Sequence, residues 1–145
     1  MSNETPTAER TKTPKSVWVG RVISGVLVAL LILSGASKFM LASAGGEPLD
    51  EMLSHLGLDV RLLVTIGIIE LVCVLFYAIP KVSVVGAILL TGYMGGAIFA
   101  HLRVGDPPIV QIVIPILIWL GVFLRDERLC QVIPLRRPSP SGGER

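Results

Sequence analysis

Four long apolar runs are the feature that most limits how this chain can fold. A helix needs about 20 mostly apolar residues to cross roughly 30 Å of hydrocarbon. The apolar pattern of the first run continues past Lys38 towards Ala44. None of the runs alternates with the period of two that is typical of strands. The chain is therefore predicted to be all-α, an integral membrane four-helix bundle with spans at about 17–41, 61–79, 82–101 and 109–124.

The composition agrees with this prediction. Hydrophobic residues make up 52% of the 145 residues, charged residues make up 17%, and the mean hydropathy is +0.72. A water-soluble domain carries about 25% charged residues, so the excess apolar surface is expected to contact a lipid bilayer. The net charge is only +2 and there is no basic patch with interspersed aromatic residues, which argues against nucleic acid as a partner.

The distribution of basic residues predicts the orientation of the spans. Ten of the 13 Lys and Arg residues fall on one side of the predicted bundle, and only Lys38, Arg61 and Arg103 fall on the other. Because cytoplasmic loops carry the excess of Lys and Arg, both termini are predicted to be cytoplasmic. The transmembrane domain is then 17–125, between two largely disordered cytoplasmic tails, 1–16 and 126–145.

A cleaved signal peptide is the alternative for the first run. Basic residues precede it, and Ala42-Ser43-Ala44 resembles a cleavage site. The run is long for such a segment and Lys38 interrupts it, so a retained helix is the simpler interpretation.

The connection between the first two spans contains a short amphipathic pattern. Apolar residues recur there with helical spacing, and the intervening residues are polar. Gly57 is expected to end this helix. We predict a short amphipathic helix lying on the bundle or on the membrane surface, with an apolar face of Leu49, Met52, Leu53 and Leu56.

Glu70 is the most informative residue, because it lies near the middle of the second apolar run. A charged side chain at the centre of a span is unfavourable by roughly 2.5–3.5 kcal/mol, so Glu70 is expected to face the inside of the bundle. Lys38 is its candidate partner. If the first helix runs on to Ala44, the rise per residue brings the two to a similar depth; if it stops near Ala36, Lys38 extends to the interface instead.

Three further polar residues are expected on the same outer side. His101 and Arg103 end the third span, and Gln111 lies near the start of the fourth. With Lys38 and Glu70 they form the candidate ligand or proton site. Three interpretations stay open: interhelical hydrogen bonding alone, a ligand or quinone pocket, and a proton or solute pathway.

Gly92 and Gly96 form a GxxxG pair on the third span. Such pairs let two helices approach closely. Packing within the chain is the simpler interpretation, and a homodimer through this face is the alternative.

The chain has little that indicates catalysis of its own. Cys73 and Cys130 are far apart and form no CxxC pair, so thiol exchange is not expected. His55 and His101 lack the neighbouring ligands of a metal site. We predict no catalytic residue, no metal site and no resident cofactor, although a bound quinone is compatible with the polar cluster.

Several short segments resemble the DoxX-like family of small membrane proteins. They are SGASKF at 34–39, LGL at 56–58, GIIEL at 67–71 and AHLRVGDP at 100–107. The resemblance runs from about residue 20 to residue 124. It implies a bacterial four-helix protein of the inner membrane, with Lys38, Glu70 and His101 at the family's polar positions.

The resemblance does not imply one reaction. Members of the wider DoxX and DoxD group are associated with electron transfer from thiosulfate to quinone, or with membrane complexes that handle oxidative stress. We therefore expect an accessory membrane subunit that binds a small lipophilic or quinone-like ligand. The alternatives are a subunit of a quinone-linked redox complex, with a membrane redox partner, and a small solute or proton transporter.

Overall fold

The computed structural model describes residues 14–126 and residue 129, and this part of the chain is all-α, as predicted. It contains five helices and no strand between residues 14 and 126. The helices are α1 (Pro14–Ala44), α2 (Glu47–Leu56), α3 (Val60–Ala78), α4 (Ser83–Val104) and α5 (Ile109–Arg125).

The first helix is longer than the predicted span of 17–41. It begins at Pro14, inside the predicted disordered tail, because proline fits the first turn of a helix. It continues to Ala44 and stops before Gly45 and Gly46, which have positive φ angles of 62° and 102°. The remainder of tail 1–16, and most of tail 126–145, lie outside the described residues. The length of α1 brings Lys38 within the helix.

Two glycines end helices at the same side of the molecule. Gly57 ends α2 with φ 60°, and Gly105 ends α4 with φ 84°. In each case the following residue also donates its backbone N–H to a carbonyl in the last turn: Leu58 to Leu53, and Asp106 to His101. This closure needs a left-handed residue, which only glycine adopts without strain.

The four longer helices contact one another in a ring. Each packs against two others, in the order α1, α3, α4, α5 and back to α1. The larger apolar core fills the centre of the ring. Its most deeply buried side chains are those of Leu31, Val74, Tyr77, Ala87, Leu90, Ile118 and Val122.

The predicted amphipathic helix forms and becomes α2. Leu49 and Leu53 are buried against Leu63 of α3, in a smaller core of their own. The polar face of α2 is exposed.

Small residues allow the closest helix contacts. A Cβ atom on Gly86 would lie 2.2 Å from the backbone nitrogen of Tyr77, at the tight turn between α3 and α4. A Cβ atom on Gly20 would lie 2.7 Å from Cβ of Leu124, and one on Gly121 would lie 2.6 Å from Oγ of Ser24. Glycine is therefore required wherever these backbones cross.

Three helices have the length and apolar character needed to cross a membrane: α1, α3 and α4. The fourth predicted span, α5, is shorter at 17 residues. At 1.5 Å per residue it measures about 25 Å.

Candidate functional site

Lys38 and Glu70 form an ion pair between α1 and α3. Nζ of Lys38 lies 2.7 Å from Oε2 of Glu70. The Glu70 side chain is 1% exposed and that of Lys38 is 21% exposed. The sequence left open whether the two residues meet. They do, because α1 continues to Ala44 and keeps Lys38 on the helix surface that faces α3.

Two glycines let α1 and α3 approach beside this pair. A Cβ atom on Gly35 would lie 2.7 Å from Cδ2 of Leu71, and one on Gly67 would lie 3.4 Å from the Gly35 carbonyl oxygen. Gly67 lies three residues before Glu70, and Gly35 lies three residues before Lys38, which is nearly one helical turn in each case. The close approach brings the two side chains within hydrogen-bond distance.

Two other residues complete the polar group. The hydroxyl of Tyr93, on α4, donates to Oε2 of Glu70 at 3.2 Å. The Lys38 ammonium also donates to Oγ of Ser34 at 3.0 Å and to the Ser34 carbonyl at 3.3 Å. We call Ser34, Lys38, Glu70 and Tyr93 the charged cluster. It links three helices of the ring.

Sequence reasoning missed the role of Tyr93. Its signal was present, because a tyrosine in an apolar span carries a hydroxyl that needs a hydrogen-bond partner. Burial of an ion pair removes the hydration of both charges, so its stability depends on such additional hydrogen bonds. Tyr93 supplies one of them to the carboxylate.

His101 and Gln111 form a second polar group. The Nδ1 atom of His101 lies 2.9 Å from the Ala97 carbonyl oxygen, and its Nε2 atom lies 3.1 Å from the side-chain nitrogen of Gln111. Because a carbonyl only accepts, Nδ1 carries the proton, and Nε2 accepts from the Gln111 amide. His101 follows Tyr93 by eight residues, which is about 12 Å along α4.

The structure thus separates the five residues that the sequence grouped together. Within residues 14–126, neither His101 nor Gln111 is hydrogen-bonded to Lys38 or Glu70. Arg103 belongs to a third contact, since it donates to the carbonyl of Leu56 at the end of α2. By direct hydrogen bonds, Lys38 and Glu70 belong to the charged cluster, and His101 and Gln111 form a separate outer pair.

The third contact holds α2 to the end of α4. Besides the Arg103 hydrogen bond, Nε2 of His55 lies 3.0 Å from Oδ2 of Asp106. Both of these side chains are about half exposed. The contact therefore positions α2 over the end of the ring that also carries His101.

The interpretation of Gly92 and Gly96 as an intrachain packing pair is wrong. A Cβ atom on either glycine would meet nothing within 4 Å, and both residues are exposed. The face of α4 that packs inside the ring carries Gly86, Leu90 and Met94 instead. Gly92 follows Leu90 by two residues, and Gly96 follows Met94 by two. Two residues correspond to a rotation of about 200° around the helix axis, so Gly92 and Gly96 lie on the outer face.

Another network was missed at the opposite end of the ring. The Tyr77 hydroxyl lies 3.0 Å from Oγ of Ser24 and donates to the Ile118 carbonyl at 3.2 Å. Arg125 donates to the Tyr77 carbonyl at 2.9 Å. Ser24 and Tyr77 are both buried, so this network joins α1, α3 and α5 within the core.

The part of the chain that the structure describes contains no group of three His, Cys, Asp or Glu side chains that could hold a metal ion. Cys73 is buried and unpaired as a thiol. Cys130 lies outside the described residues.

Comparison with known proteins identifies one family. The model of the DoxX-like family matches residues 22–124, which include the charged cluster and the outer pair. The match covers more than half of the chain and confirms the resemblance inferred from the short segments. No curated protein and no solved structure matches the chain.

Proposed function

Because this chain belongs to the DoxX-like family, we propose that it is an accessory, non-catalytic subunit of a bacterial inner membrane that binds a small quinone-like molecule at Lys38. The ring of α1, α3, α4 and α5 is then an integral membrane four-helix bundle. One observation carries the binding proposal: a deep ion pair whose carboxylate is enclosed, while about a fifth of the Lys38 side chain is exposed.

Apolar side chains on the outside of the ring support the membrane placement. Each of the four helices has a large apolar residue that is more than half exposed: Leu33, Leu75, Phe99 and Ile116. Large exposed apolar surfaces are unfavourable in water and indicate contact with lipid or with protein. Over four helices of this length, a bilayer is the environment that accounts for them.

The ends of the ring differ in charge. Arg21, Lys81 and Arg125 lie at the end formed by the start of α1, the α3–α4 turn and the end of α5. Arg61 and Arg103 lie at the other end. The positive-inside tendency favours the first end, and with it both termini, in the cytoplasm.

The Lys38 ammonium has the chemistry to bind a ligand carbonyl. It donates three hydrogen bonds, and the longest, at 3.3 Å, goes to the Ser34 carbonyl. This carbonyl lies within α1 and also accepts a backbone hydrogen bond of the helix. A quinone oxygen is able to replace this weakest bond while the bond to Glu70 remains. The resulting hydrogen bond is charge-assisted and therefore stronger than one between neutral groups.

Glu70 and Tyr93 then act as positioning residues. Glu70 balances the charge of Lys38, and Tyr93 holds the carboxylate. Electron transfer to a bound quinone would need a donor supplied by a partner subunit, because the sequence carries no redox-cofactor motif or CxxC pair. This is the reason for proposing an accessory role.

Thermal unfolding of the detergent-purified protein with ubiquinone-1 and menadione tests the proposal. The site variant is Lys38→Met/Glu70→Gln, which removes both charges together. The control Arg61→Met/Glu51→Gln removes the same charges from two exposed positions. At a hundredfold excess of ligand over Kd, we expect about 2.7 kcal/mol of stabilisation of the wild type and the control, and none of the site variant.

An equal stabilisation of the site variant, or no stabilisation of any form by either quinone, would contradict a binding site at Lys38. Reduction of quinone by the purified chain alone would contradict the accessory role and favour a redox subunit.

A further inference from the structure

A basic cavity lies at the proposed cytoplasmic end of the ring. Its volume is about 550 Å³. Three cationic side chains from three different elements line it, Arg21 on α1, Lys81 in the α3–α4 turn and Arg125 at the end of α5, together with one carboxylate, Asp126. The remaining lining residues are Pro80, Ser83, Val84 and Leu129.

The charges that line this cavity do not balance among the residues that the structure describes. Three cations against one carboxylate leave two positive charges in excess there. Like charges that share a recess repel each other, and the recess concentrates their field. An anion in the cavity would relieve the repulsion, so the charge pattern favours an anionic ligand.

Arg125 is fixed in place rather than free in solvent. Its guanidinium carbon lies 4.8 Å from the centre of the Tyr77 ring, and Nη2 donates to the Tyr77 carbonyl. Its Nε atom is buried and has no hydrogen-bond partner among the residues that the structure describes. Arg125 therefore contributes a fixed positive charge to the wall of the cavity.

The first turn of α4 contributes to the same cavity. Ser83 and Val84 begin this helix and line the cavity, and no side chain caps the helix start. The first N–H groups of a helix have no partner within it, and the helix dipole favours a negative charge at this position. Together with the three cations, they provide donors suited to phosphate oxygens.

We infer that this cavity binds the phosphate group of an anionic phospholipid of the cytoplasmic leaflet. The inference rests on the proposed membrane placement, which puts the cavity at headgroup level. Lipid tails would then lie along the exposed apolar side chains beside the cavity, such as Val22 and Val85. Basic recesses between transmembrane helices on the cytoplasmic side bind lipid headgroups in this manner.

Native mass spectrometry of the detergent-purified full chain tests the inference, with phosphatidylglycerol and phosphatidylcholine titrated as separate lipids. The test variant is Arg21→Gln/Lys81→Gln, which leaves Arg125 in its structural contacts. The control Lys15→Gln/Arg61→Gln loses the same charge outside the cavity. We expect the wild type and the control to bind phosphatidylglycerol more tightly than phosphatidylcholine. The test variant should bind phosphatidylglycerol on the order of 30-fold more weakly than the wild type does.

Equal affinity of the test variant and the wild type for phosphatidylglycerol would overturn the inference. Inorganic phosphate distinguishes a lipid headgroup from free phosphate as the ligand. If inorganic phosphate raises the thermal stability as much as phosphatidylglycerol does, the lipid assignment is overturned. Carbonate extraction of cell membranes separates this result from the underlying proposal. A chain released by carbonate contradicts the membrane placement, whereas a retained chain with equal lipid affinities contradicts only the headgroup site.

Discussion

Lys38 of α1 and Glu70 of α3 lie 32 residues apart in the chain and form a 2.7 Å ion pair. The two partners differ in their access to solvent, because about a fifth of the Lys38 side chain is exposed while Glu70 is almost fully enclosed. Lys38 also has Ser34 beside it, so it retains hydrogen-bond partners without Glu70. The two residues are therefore expected to respond differently to mutation.

Lys38→Met is predicted to destabilise the protein more than Glu70→Gln. The first variant leaves an enclosed carboxylate without its counter-charge, which is unfavourable by about 3–5 kcal/mol. The second leaves an ammonium group that keeps its two hydrogen bonds to Ser34. Unfolding of the two variants in one detergent measures the difference, with Arg61→Gln as an exposed control. A Glu70→Gln variant as unstable as Lys38→Met would contradict the asymmetry.

Gly86→Ala and Gly92→Ala are predicted to have opposite effects. The new methyl group on Gly86 would overlap the Tyr77 backbone, which cannot move aside without opening the α3–α4 turn. We expect a loss of at least about 1–3 kcal/mol. The new methyl group on Gly92 meets nothing within 4 Å, and alanine favours the helix by up to about 1 kcal/mol.

Thermal unfolding of these two variants gives the comparison. A destabilised Gly92→Ala variant would contradict the outward position of Gly92 in a monomer. If light scattering showed that the same variant also dissociates, a homodimer through Gly92 and Gly96 would be the explanation.

Tyr77→Phe is predicted to destabilise the protein by about 1–3 kcal/mol. The change removes one hydroxyl from the core and leaves Ser24, which is 2% exposed, without that partner. Adding Ser24→Ala should recover part of the loss, because it removes the unpaired group. A chemical unfolding series on the two single variants and the double variant measures this. A double variant less stable than Tyr77→Phe would show that the Ser24 hydroxyl has another role.

The proposed orientation predicts which side of the membrane each connection faces. In intact cells, an impermeant maleimide should label Ser43→Cys, an exposed position near the end of α1. It should label Lys81→Cys only after the membrane is opened. A reporter fused after Arg145 should be active only in the cytoplasm. Labelling of Lys81→Cys in intact cells, with Ser43→Cys protected, would reverse the orientation.

Helix length and rise were sufficient to predict much of this fold from the sequence. Apolar runs gave the positions of the longer helices to within a few residues, because burial and helix period follow directly from residue type. The same arithmetic put Lys38 and Glu70 at similar depths. The contact itself depended on where α1 ends, which the glycines at 45 and 46 decide.

The rest of the candidate site depended on rotation about each helix axis, which a uniformly apolar helix leaves undetermined. A run that is apolar on all faces has no polar stripe to show which side is inside. Gly92 and Gly96 were assigned to the interior for this reason, and the contribution of Tyr93 was missed. His101 was grouped with Glu70, although it lies about 12 Å beyond the level of Tyr93 along α4.

A double-mutant cycle on Lys38→Met and Glu70→Gln tests the central claim most directly, because it measures the coupling between the two charges that define the site. The free energy of unfolding is determined in detergent for the wild type, both single variants and the double variant. If the two side chains are in contact, the loss of stability in the double variant should be smaller than the two single losses added together. The difference should be about 1–3 kcal/mol. Additive losses, within about 0.5 kcal/mol, would contradict an ion pair between α1 and α3 and the ligand site proposed beside it.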